Sequence, residues 1–577
     1  MDNPPKPRFA LVVGVTGHRP NRLPEEARAG VEQSVVDTLE AIKREAIGVH
    51  ARYAEFFAPD QPILTLTTAL ADGTDIMAAE AATSSEYQLD AVLPFLIKEY
   101  EKDFPAPALK SFTNFRQKAR AVLELNGSRA DEGKAYEAAG LALLDASDIL
   151  VAVWDGKPGA GRGGTVELIY EAARRGMPIV RIDAEGKIPA RIYWRGLDDR
   201  RAASVHMDDH PFAELSDKLS AVVDSLLRPP RSAAEQRDFR RYLDEKIRRT
   251  SLRLEFPLLM ALLAVRVPRW SDFSLPRPRQ LADGLHPDAS GSRVLAESFG
   301  WADAVAVYFA QAFRSAFVSN FVISAFAIIS AVISPKPPWS VFDVAFVLTL
   351  VVNTAVGQRS HWHHRWIEAR EVAERLRVAV PMLAVGTRSF GPFGDPPTWT
   401  SWYVRAKLRE AGVRSATLDD AGLSTARKPL LAFVTGQRAY HQATARRFQR
   451  VHDRLEAVGK YLFISALVVV SAHFLVELFH PDLMGPELKR WVVVASASLP
   501  ALAAASYGIR VIGEFDGAAR RSARMQAQLE GLQSILEEGP HSYDSLRDIA
   551  HQAAEIMLGD VASWRLVVES RNLAMPS

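Results

Sequence analysis

The chain contains no cysteine among its 577 residues. This absence excludes disulfide bonds, thiolate zinc sites, iron–sulfur clusters and a cysteine nucleophile. Neither sign of charge dominates, since 70 lysine and arginine residues stand against 68 aspartate and glutamate residues. We therefore expect no direct nucleic-acid partner, because nucleic-acid-binding domains carry a basic excess. A hydrophobic fraction of 48% and a charged fraction of 24% exclude wholesale disorder.

We also expect no signal peptide, because the first nine residues, MDNPPKPRF, are polar and rich in proline. The second half of the chain, in contrast, holds four long apolar runs. They are residues 315–333, 341–357, 461–478 and 491–509. Each has about the length that crosses a ~30 Å hydrocarbon layer as a helix. The sequence therefore predicts four transmembrane helices, and the alternative is a set of buried helices in a large soluble domain.

The flanks of these runs predict their orientation. Arginines precede the first and third runs and follow the second and fourth, whereas the turns at 334–340 and 480–490 hold three basic residues between them. Basic residues concentrate on the cytoplasmic side of a membrane. We therefore expect cytoplasmic N- and C-termini, two hairpins that cross the membrane, and cytoplasmic helices over residues 361–460 and 510–577.

The first 185 residues alternate between apolar, β-branched runs and helical patterns. The predicted strands are 9–16, 63–68, 89–95, 149–154 and 178–182, and the predicted helices are 25–45, 72–83, 133–144 and 166–175. Buried strands separated by helices are typical of a parallel, doubly wound sheet. The predicted fold class is therefore an α/β Rossmann-like N-terminal domain, followed by an all-α membrane domain with long cytoplasmic helical extensions. Such sheets bind ligands beyond the carboxyl ends of their strands.

Three loops at those strand ends carry the candidate ligand-binding residues. Glycines allow close approach of the backbone to a ligand, and a helix N-terminus attracts an anion. A tight turn after the first strand and simple capping of the second helix by Asp72 or Thr74 remain the structural alternatives. The candidates are Gly14, Gly17, His18 and Arg19 in the first loop, Asp72, Gly73 and Thr74 in the second, and Asp155, Gly156, Gly161, Gly163, Gly164, Thr165 and Glu167 in the third.

The three motifs VTGHR, LADGTD and WDGKPGAGRGGTVE together resemble the SLOG superfamily, the relatives of LOG-type cytokinin-activating phosphoribohydrolases and of DprA. The resemblance covers about the first 190 residues and implies a Rossmann-like fold that binds a nucleotide or a nucleotide-derived signal. LOG enzymes carry a PGGxGT loop, which is altered to GxGRGGT here. Glu167 falls near the LOG catalytic glutamate, but no arginine matches the catalytic one. The resemblance therefore implies binding rather than hydrolysis.

The paired spans with helical extensions, including EAREVAERLR and GEFDGAARR, resemble the SLATT-type membrane modules of bacterial conflict systems. That resemblance implies a ligand-gated effector in the bacterial inner membrane. His361, His363 and His364 follow the second span and suggest a metal. They have no carboxylate or thiolate at ligand spacing, so we expect a charged membrane flank, with no metal site and no cofactor.

The predicted domains are a SLOG-like nucleotide-binding domain over 1–228, a helical linker over 229–300 and a helical membrane domain over 301–577. The leading functional hypothesis is a sensor of a nucleotide-derived molecule, such as a cyclic nucleotide or an ADP-ribose derivative. This sensor would act as a homo-oligomer and perturb or permeabilise the lipid bilayer in anti-phage defence. Two alternatives stay open. One is a membrane-tethered nucleotide N-glycosidase or phosphoribohydrolase that uses Glu167, and the other is a ligand-regulated channel or transporter.

Overall fold

The computed structural model describes residues 3–157, 162–194, 212–247, 253–278, 290–333, 340–388, 398–480, 485–539 and 541–569. An N-terminal α/β sheet domain is followed by a largely helical region. This architecture confirms the predicted fold class.

A nine-stranded sheet forms the centre of the α/β domain, in the order β8-β7-β6-β5-β1-β2-β3-β4-β9. Adjacent strands are parallel except that β7 is antiparallel to both β6 and β8. The strands are β1 (Ala10–Gly17), β2 (Ile63–Thr68), β3 (Gln88–Leu93), β4 (Ala121–Leu125), β5 (Ile149–Trp154), β6 (Ile179–Asp183), β7 (Arg191–Tyr193), β8 (Ala213–Glu214) and β9 (Ala416–Leu418).

Helices cover both faces of this sheet. They are α1 (Glu25–Arg52), α2 (Thr74–Ser84), α3 (Ile97–Tyr100), α4 (Ala106–Lys118), α5 (Glu132–Ala146), α6 (Thr165–Arg174) and α7 (Leu215–Leu227). Alternate residues of a strand point to opposite faces. In β5, Val151 accordingly joins the core that includes α1, whereas Leu150 and Ala152 join the core that includes α6. Burial on both faces explains why the central strands read as continuous apolar runs.

The five predicted strands are confirmed within two residues, and the four predicted helices are confirmed as well. The first helix is longer than predicted, because it continues to Arg52. β4 was not predicted, because its five residues include a glutamate and alternate between buried and half-buried positions. β7 and β8 were not predicted either, because they are only three and two residues long.

The helical region contains ten helices within the described residues. They are α8 (Ala233–Leu243), α9 (Glu255–Leu262), α10 (Ser290–Ile333), α11 (Ser340–Arg359), α12 (Trp362–Ala384), α13 (Trp399–Ala411), α14 (Asp420–Phe479), α15 (Pro486–Gly513), α16 (Phe515–Glu537) and α17 (Tyr543–Glu569). α10 packs on α11, α12 and α15, and α14 packs on α15 and α16.

Four stretches of this region are helical, long and apolar enough to cross a membrane, and each contains one of the predicted spans. Their apolar side chains face outward, as Phe463 and Leu467 show with exposed fractions of 64% and 60%. A lipid environment explains this exposure, because a soluble protein buries such surface. These features are those of a multi-pass membrane protein. The type of membrane and the side on which the termini lie stay predictions.

α14 connects the membrane region to the sheet. Its 60 residues form one continuous helix, which at 1.5 Å per residue is about 90 Å long and therefore extends far beyond the bilayer. Directly before it, β9 pairs in parallel with β4, with Leu123 opposite Ala416. The sequence analysis placed this segment among the cytoplasmic helices and did not predict the strand. The helical region thus supplies an edge strand to the α/β domain.

Candidate functional site

The candidate site lies at the carboxyl ends of the parallel strands, at the point where the strand order reverses. β1 has β2 on one side and β5 on the other, and the chain proceeds from these neighbours toward opposite edges of the sheet. Doubly wound sheets bind their ligands in the crevice at such a switch point. His18 directly follows β1, and Asp155 directly follows β5. The structure therefore brings the first and third predicted loops together at this point.

His18 and Asp155 are in direct contact. Nε2 of His18 lies 3.1 Å from Oδ1 of Asp155 and 3.3 Å from the backbone nitrogen of Asp155. Burial raises the pKa of Asp155, but the backbone N–H of Lys157 and the contact with His18 outweigh this effect and lower the pKa below its usual value. Asp155 is therefore ionised at neutral pH, and it orients the imidazole, which is only 5% exposed.

The second predicted loop meets the first at the N-terminus of α2. Thr74 donates to the carbonyl oxygen of His18 from both its backbone nitrogen and its Oγ1, at 3.3 Å and 3.0 Å. Gly73 has a φ of +99°, and a Cβ there would lie 2.8 Å from that same carbonyl oxygen. A Cβ on Gly17 would lie 2.5 Å from the Thr74 side chain. Both glycines therefore permit the close approach of the two loops.

Side-chain capping of α2 by Asp72 or Thr74, the structural alternative for this loop, is absent among the described residues. Gly73 occupies the N-cap position and no side chain makes a capping hydrogen bond there. Thr74 begins the helix and uses its hydroxyl for the contact with His18, while Asp72 is half-buried in the preceding turn. The backbone amides of the first turn therefore have no capping side chain, a feature that suits an anion.

Arg19 presents a positive charge to the same edge of the sheet. Its Nη2 donates to the hydroxyl of Tyr136 at 2.7 Å, and the guanidinium lies 5.2 Å from the centre of that ring. The Tyr136 hydroxyl donates in turn to Asp103 at 2.5 Å. Burial and the hydrogen bond to Asp103 raise the pKa of Tyr136 to about 12. Within the described ranges no carboxylate lies within 4 Å of Arg19, so its charge is available to an anionic ligand.

The glycine-rich loop between β5 and α6 is described at its two ends, and Gly161 lies outside the described residues. Gly156 and Gly163 have φ values of +80° and +79°. A Cβ on Gly163 would lie 2.5 Å from the carbonyl oxygen of Gly133. Gly164 is extended, with a φ of −86°. Among the described glycines of this loop, Gly156 and Gly163 therefore require a left-handed backbone and Gly164 does not.

Thr165 and Glu167 belong to the first turn of α6. Oε2 of Glu167 accepts a hydrogen bond from the backbone nitrogen of Gly163 at 2.6 Å. The contact holds the end of the glycine loop against the helix. Glu167 is otherwise exposed, so the structure gives it a positioning contact and solvent access.

Gly14 is set apart from the other candidates. It lies within β1, three residues before Gly17, and a Cβ there would lie 2.4 Å from Oγ of Ser147 at the end of α5. Packing between the strand and that helix end accounts for a glycine at this position.

The structure also places residues at this edge that the sequence analysis did not select. Asp75 in α2 is 5% exposed, accepts a hydrogen bond from the backbone nitrogen of Ala71 and has its pKa raised to about 6 by burial. Tyr136 and Asp103 join it from α5 and from the segment after α3. Asp75 belongs to the quoted LADGTD motif and was therefore detectable. The proximity of the other two depends on the order of the strands, which no local pattern reveals.

One histidine of the membrane flank has carboxylate partners after all, which corrects the sequence analysis. Nε2 of His364 lies 3.1 Å from Glu368 and 3.3 Å from Asp238 of α8, a grouping with the geometry of metal ligands. Arg241 lies 2.7 Å from Asp238 and 3.7 Å from Glu368, and Trp399 donates to Glu368. A metal ion would face the charge of this guanidinium. The cluster is therefore best interpreted as an ion-pair network that fastens α8 to α12.

Comparisons with protein-family models and with curated proteins find no match for this chain. The resemblance to the SLOG and SLATT families stays a prediction. The candidate site is defined by its place in the sheet and by the contacts described above.

Proposed function

We propose that the protein is a sensor of a nucleotide-derived signal, joined to an effector that acts on the membrane. The observation that carries this proposal is the meeting of His18, Arg19, Asp155 and the N-terminus of α2 at the switch point of the sheet. The second support is the presence of four helices of membrane-spanning length in the same chain. The family resemblance adds the setting, which is anti-phage defence at a bacterial inner membrane.

The chemistry of the crevice favours an anion with polar substituents. Among the described residues no carboxylate lies within 4 Å of Arg19, and the amides at the start of α2, which have no side-chain cap there, attract negative charge. Asp155 and the imidazole of His18 supply an acceptor and a polar ring beside them. Phosphate groups suit the cationic part, and ribose hydroxyls suit the carboxylate. Cyclic nucleotides and ADP-ribose derivatives combine both.

A continuous set of contacts links this crevice to the helical region. α5 carries Tyr136 near its start, in contact with Arg19, and Asp145 near its end. Oδ2 of the buried Asp145 accepts from Nε of Arg547 on α17 at 2.9 Å and from the hydroxyl of Thr387 at 2.7 Å. α17 packs along α12. Ligand binding that moves α5 would therefore move α17.

The size of the required effect is set by mass action. A ligand that converts a 1:99 mixture of open and closed states into a 99:1 mixture must bind the open state about 5.5 kcal/mol more tightly. A few charge-assisted hydrogen bonds at about 1.5–3 kcal/mol each supply this difference.

The test is a binding screen on the full chain in lipid nanodiscs, with thermal unfolding as the readout. The panel contains cyclic mononucleotides, cyclic dinucleotides, nucleoside monophosphates and ADP-ribose. A ligand at 100 times its dissociation constant should stabilise the protein by about 2.7 kcal/mol. Arg19→Gln should abolish this shift, and Arg22→Gln, which alters an exposed arginine of the same loop, should retain it. Equal behaviour of the two variants would remove the crevice from the proposal.

A further inference from the structure

A cavity of about 530 Å³ lies where α9, α10, α12, α14, α16 and α17 meet. Arg314, which directly precedes the first predicted span, and the break between α15 and α16 at Glu514, which follows the fourth, both belong to its wall. The cavity therefore lies at the arginine-rich ends of the membrane helices. It has the volume of a small-molecule site, for which about 300–1,000 Å³ is typical, and it shares no residue with the crevice of the sheet.

Aromatic rings from six helices form much of the wall. Phe448 and Phe515 lie 5.8 Å apart between ring centres, and Trp366 and Trp564 lie 5.3 Å apart. These rings offer an apolar surface, and their faces attract cations. Arg314 lies 5.1 Å from the centre of Trp366.

Two arginines of the wall lie against aromatic rings and not against carboxylates of the described residues. Arg314 lies over the rings of Phe256 and Trp366, and Arg447 lies over Phe448. In the described part of the chain neither guanidinium has a carboxylate within 4 Å, and Nε of Arg447 is buried without a hydrogen-bond partner. A guanidinium that is partly removed from water loses hydration free energy, and a nearby anion compensates for this loss.

The other charged residues of the wall are already paired. Arg266 lies 2.7 Å from Asp272, Arg370 lies 2.5 Å from Glu374, and Arg521 lies 3.6 Å from Glu514. The remaining carboxylate, Asp560, interacts electrostatically with Arg521 and with Arg370 rather than with Arg314 or Arg447. Within the described residues, the arginines of the wall without a carboxylate partner are therefore Arg314 and Arg447, which interact electrostatically with each other.

Neutral polar groups also face the cavity without partners. His441 is 7% exposed, and both of its ring nitrogens lack a hydrogen-bond partner among the described residues, as does Oε1 of Gln437 one helical turn before it. Buried polar atoms in proteins are nearly always satisfied. In the part of the chain that the structure describes, two arginines without a carboxylate and two side chains with unsatisfied polar atoms thus line the same cavity, which suits a bound polar molecule.

We propose that this cavity binds a phosphate-bearing amphipathic anion. Arg314 and Arg447 hold the phosphate, since guanidinium groups form paired, charge-assisted hydrogen bonds with its oxygens. His441 and Gln437 bind the neighbouring polar atoms, and the aromatic wall packs against the apolar part. The phosphate belongs either to the headgroup of an acidic phospholipid or to a soluble phosphate ester.

The surroundings of the cavity favour the lipid source. α9 and the turn after it contribute to the wall and also expose large apolar side chains. Leu262 is 84% exposed and Trp270 is 92% exposed. Tryptophan is enriched where a protein meets the membrane–water interface. A headgroup in the cavity would leave its acyl chains against this surface.

The experiment compares two probes on the full chain in detergent. One is short-chain phosphatidylglycerol, with phosphatidylcholine of the same chain length as its control, and the other is glycerol 3-phosphate. Binding is followed by thermal unfolding and by native mass spectrometry. We expect phosphatidylglycerol to bind at least about tenfold more tightly than phosphatidylcholine. Equal stabilisation by glycerol 3-phosphate alone would identify the soluble ester as the source.

The variants localise the site. Arg314→Gln and Arg447→Gln should each weaken binding of phosphatidylglycerol about tenfold or more. Arg450→Gln is the matched control, because Arg450 lies on the same helix but is exposed and outside the cavity wall. Equal loss in the Arg447 and Arg450 variants would contradict the proposal, as would the absence of any preference for phosphatidylglycerol or glycerol 3-phosphate.

A cavity-filling variant tests the site independently, in case the arginine variants do not fold. Ala518→Phe places a ring in the cavity while all charges stay in place, so it should also weaken phosphatidylglycerol binding about tenfold. Wild-type affinity in this variant would overturn the proposal. None of these results bears on nucleotide binding, because the two sites are separate.

Discussion

Asp145 joins the sheet domain to the C-terminal helix, and its replacement by asparagine tests that connection. Its side chain is completely buried. The carboxylate lies 2.7 Å from Nη1 of Arg175, 2.9 Å from Nε of Arg547 and 2.7 Å from Oγ1 of Thr387. Asparagine keeps the shape of the side chain but removes the charge and replaces one acceptor oxygen with a donor. Two half-buried guanidinium groups then lose their shared anion.

The expected loss follows from the cost of breaking a buried ion pair. Removing one partner of such a pair costs about 3–5 kcal/mol, which corresponds to a fall in Tm of about 10 °C for a domain of this size. Asp548→Asn is the matched control, because Asp548 is 68% exposed and lies 4.0 Å from the same Arg547. An exposed pair contributes at most about 1 kcal/mol.

The pH dependence of unfolding tests the stabilising role of the Asp145 carboxylate independently. Burial raises the pKa of Asp145, but the neighbouring His551, 3.7 Å away, and the charges of Arg547 and Arg175 outweigh it and hold the pKa far below its ordinary value. A carboxyl whose folded-state pKa is lowered stabilises the protein above its unfolded-state pKa of about 3.9 and loses that contribution as the pH falls. The wild type should therefore lose stability more steeply below about pH 5 than Asp145→Asn.

The assay is thermal unfolding of the full chain in detergent, followed by tryptophan fluorescence at neutral pH and across an acid series. We expect the Asp145→Asn variant to melt well below the wild type. The Asp548→Asn variant should melt at nearly the same temperature as the wild type. Similar small shifts in both variants would contradict a stabilising role of Asp145, since they would show that its contacts contribute little.

Three further predictions concern the membrane and the glycine loop. Reporters inserted near Arg388 and fused after Ser577 should both report the cytoplasm, because the arginine-rich flanks orient the spans; a periplasmic signal at either place would contradict the two-hairpin topology. Gly163→Val should weaken nucleotide binding in calorimetry by about tenfold or more, because a β-branched residue is strained at positive φ, whereas Gly164→Ala, at an extended residue, should bind as the wild type does. Glu167→Gln should lower the affinity for the nucleotide by about 1–3 kcal/mol through loss of its charged hydrogen bond. Prolonged incubation of the wild type with nucleotides should yield no free base on chromatography. Release of base would instead favour the N-glycosidase hypothesis.

The fold was predictable where local patterns are strong. Central strands such as β2 and β5 are buried on both faces, so their apolar, β-branched runs stand out in the sequence. The edges of the sheet were not predictable. β4 carries a glutamate in five residues, and β9 is a three-residue strand contributed from almost 300 positions further along the chain. Pairing at that distance leaves no periodicity to detect.

In the candidate site, too, local sequence patterns predicted some features, and others depended on tertiary packing. The loops that follow β1 and β5 were predicted from their glycines and charges, and parallel strands explain why His18 meets Asp155. The partners of Arg19 were not predicted, since Tyr136 comes from a helix whose position depends on the packing of the whole sheet. The distinction between Gly163 and Gly164 also depended on backbone angles that the composition of the loop does not reveal.

Dye release from liposomes tests the central claim most directly. The full chain is reconstituted into vesicles loaded with a self-quenching dye, and the nucleotide that stabilises it in the binding screen is added outside and inside. We expect ligand-dependent release by the wild type and by Arg22→Gln, and none by Arg19→Gln. Release that is independent of the nucleotide, or equal in the Arg19 and Arg22 variants, would contradict a sensor in the crevice that controls the membrane helices.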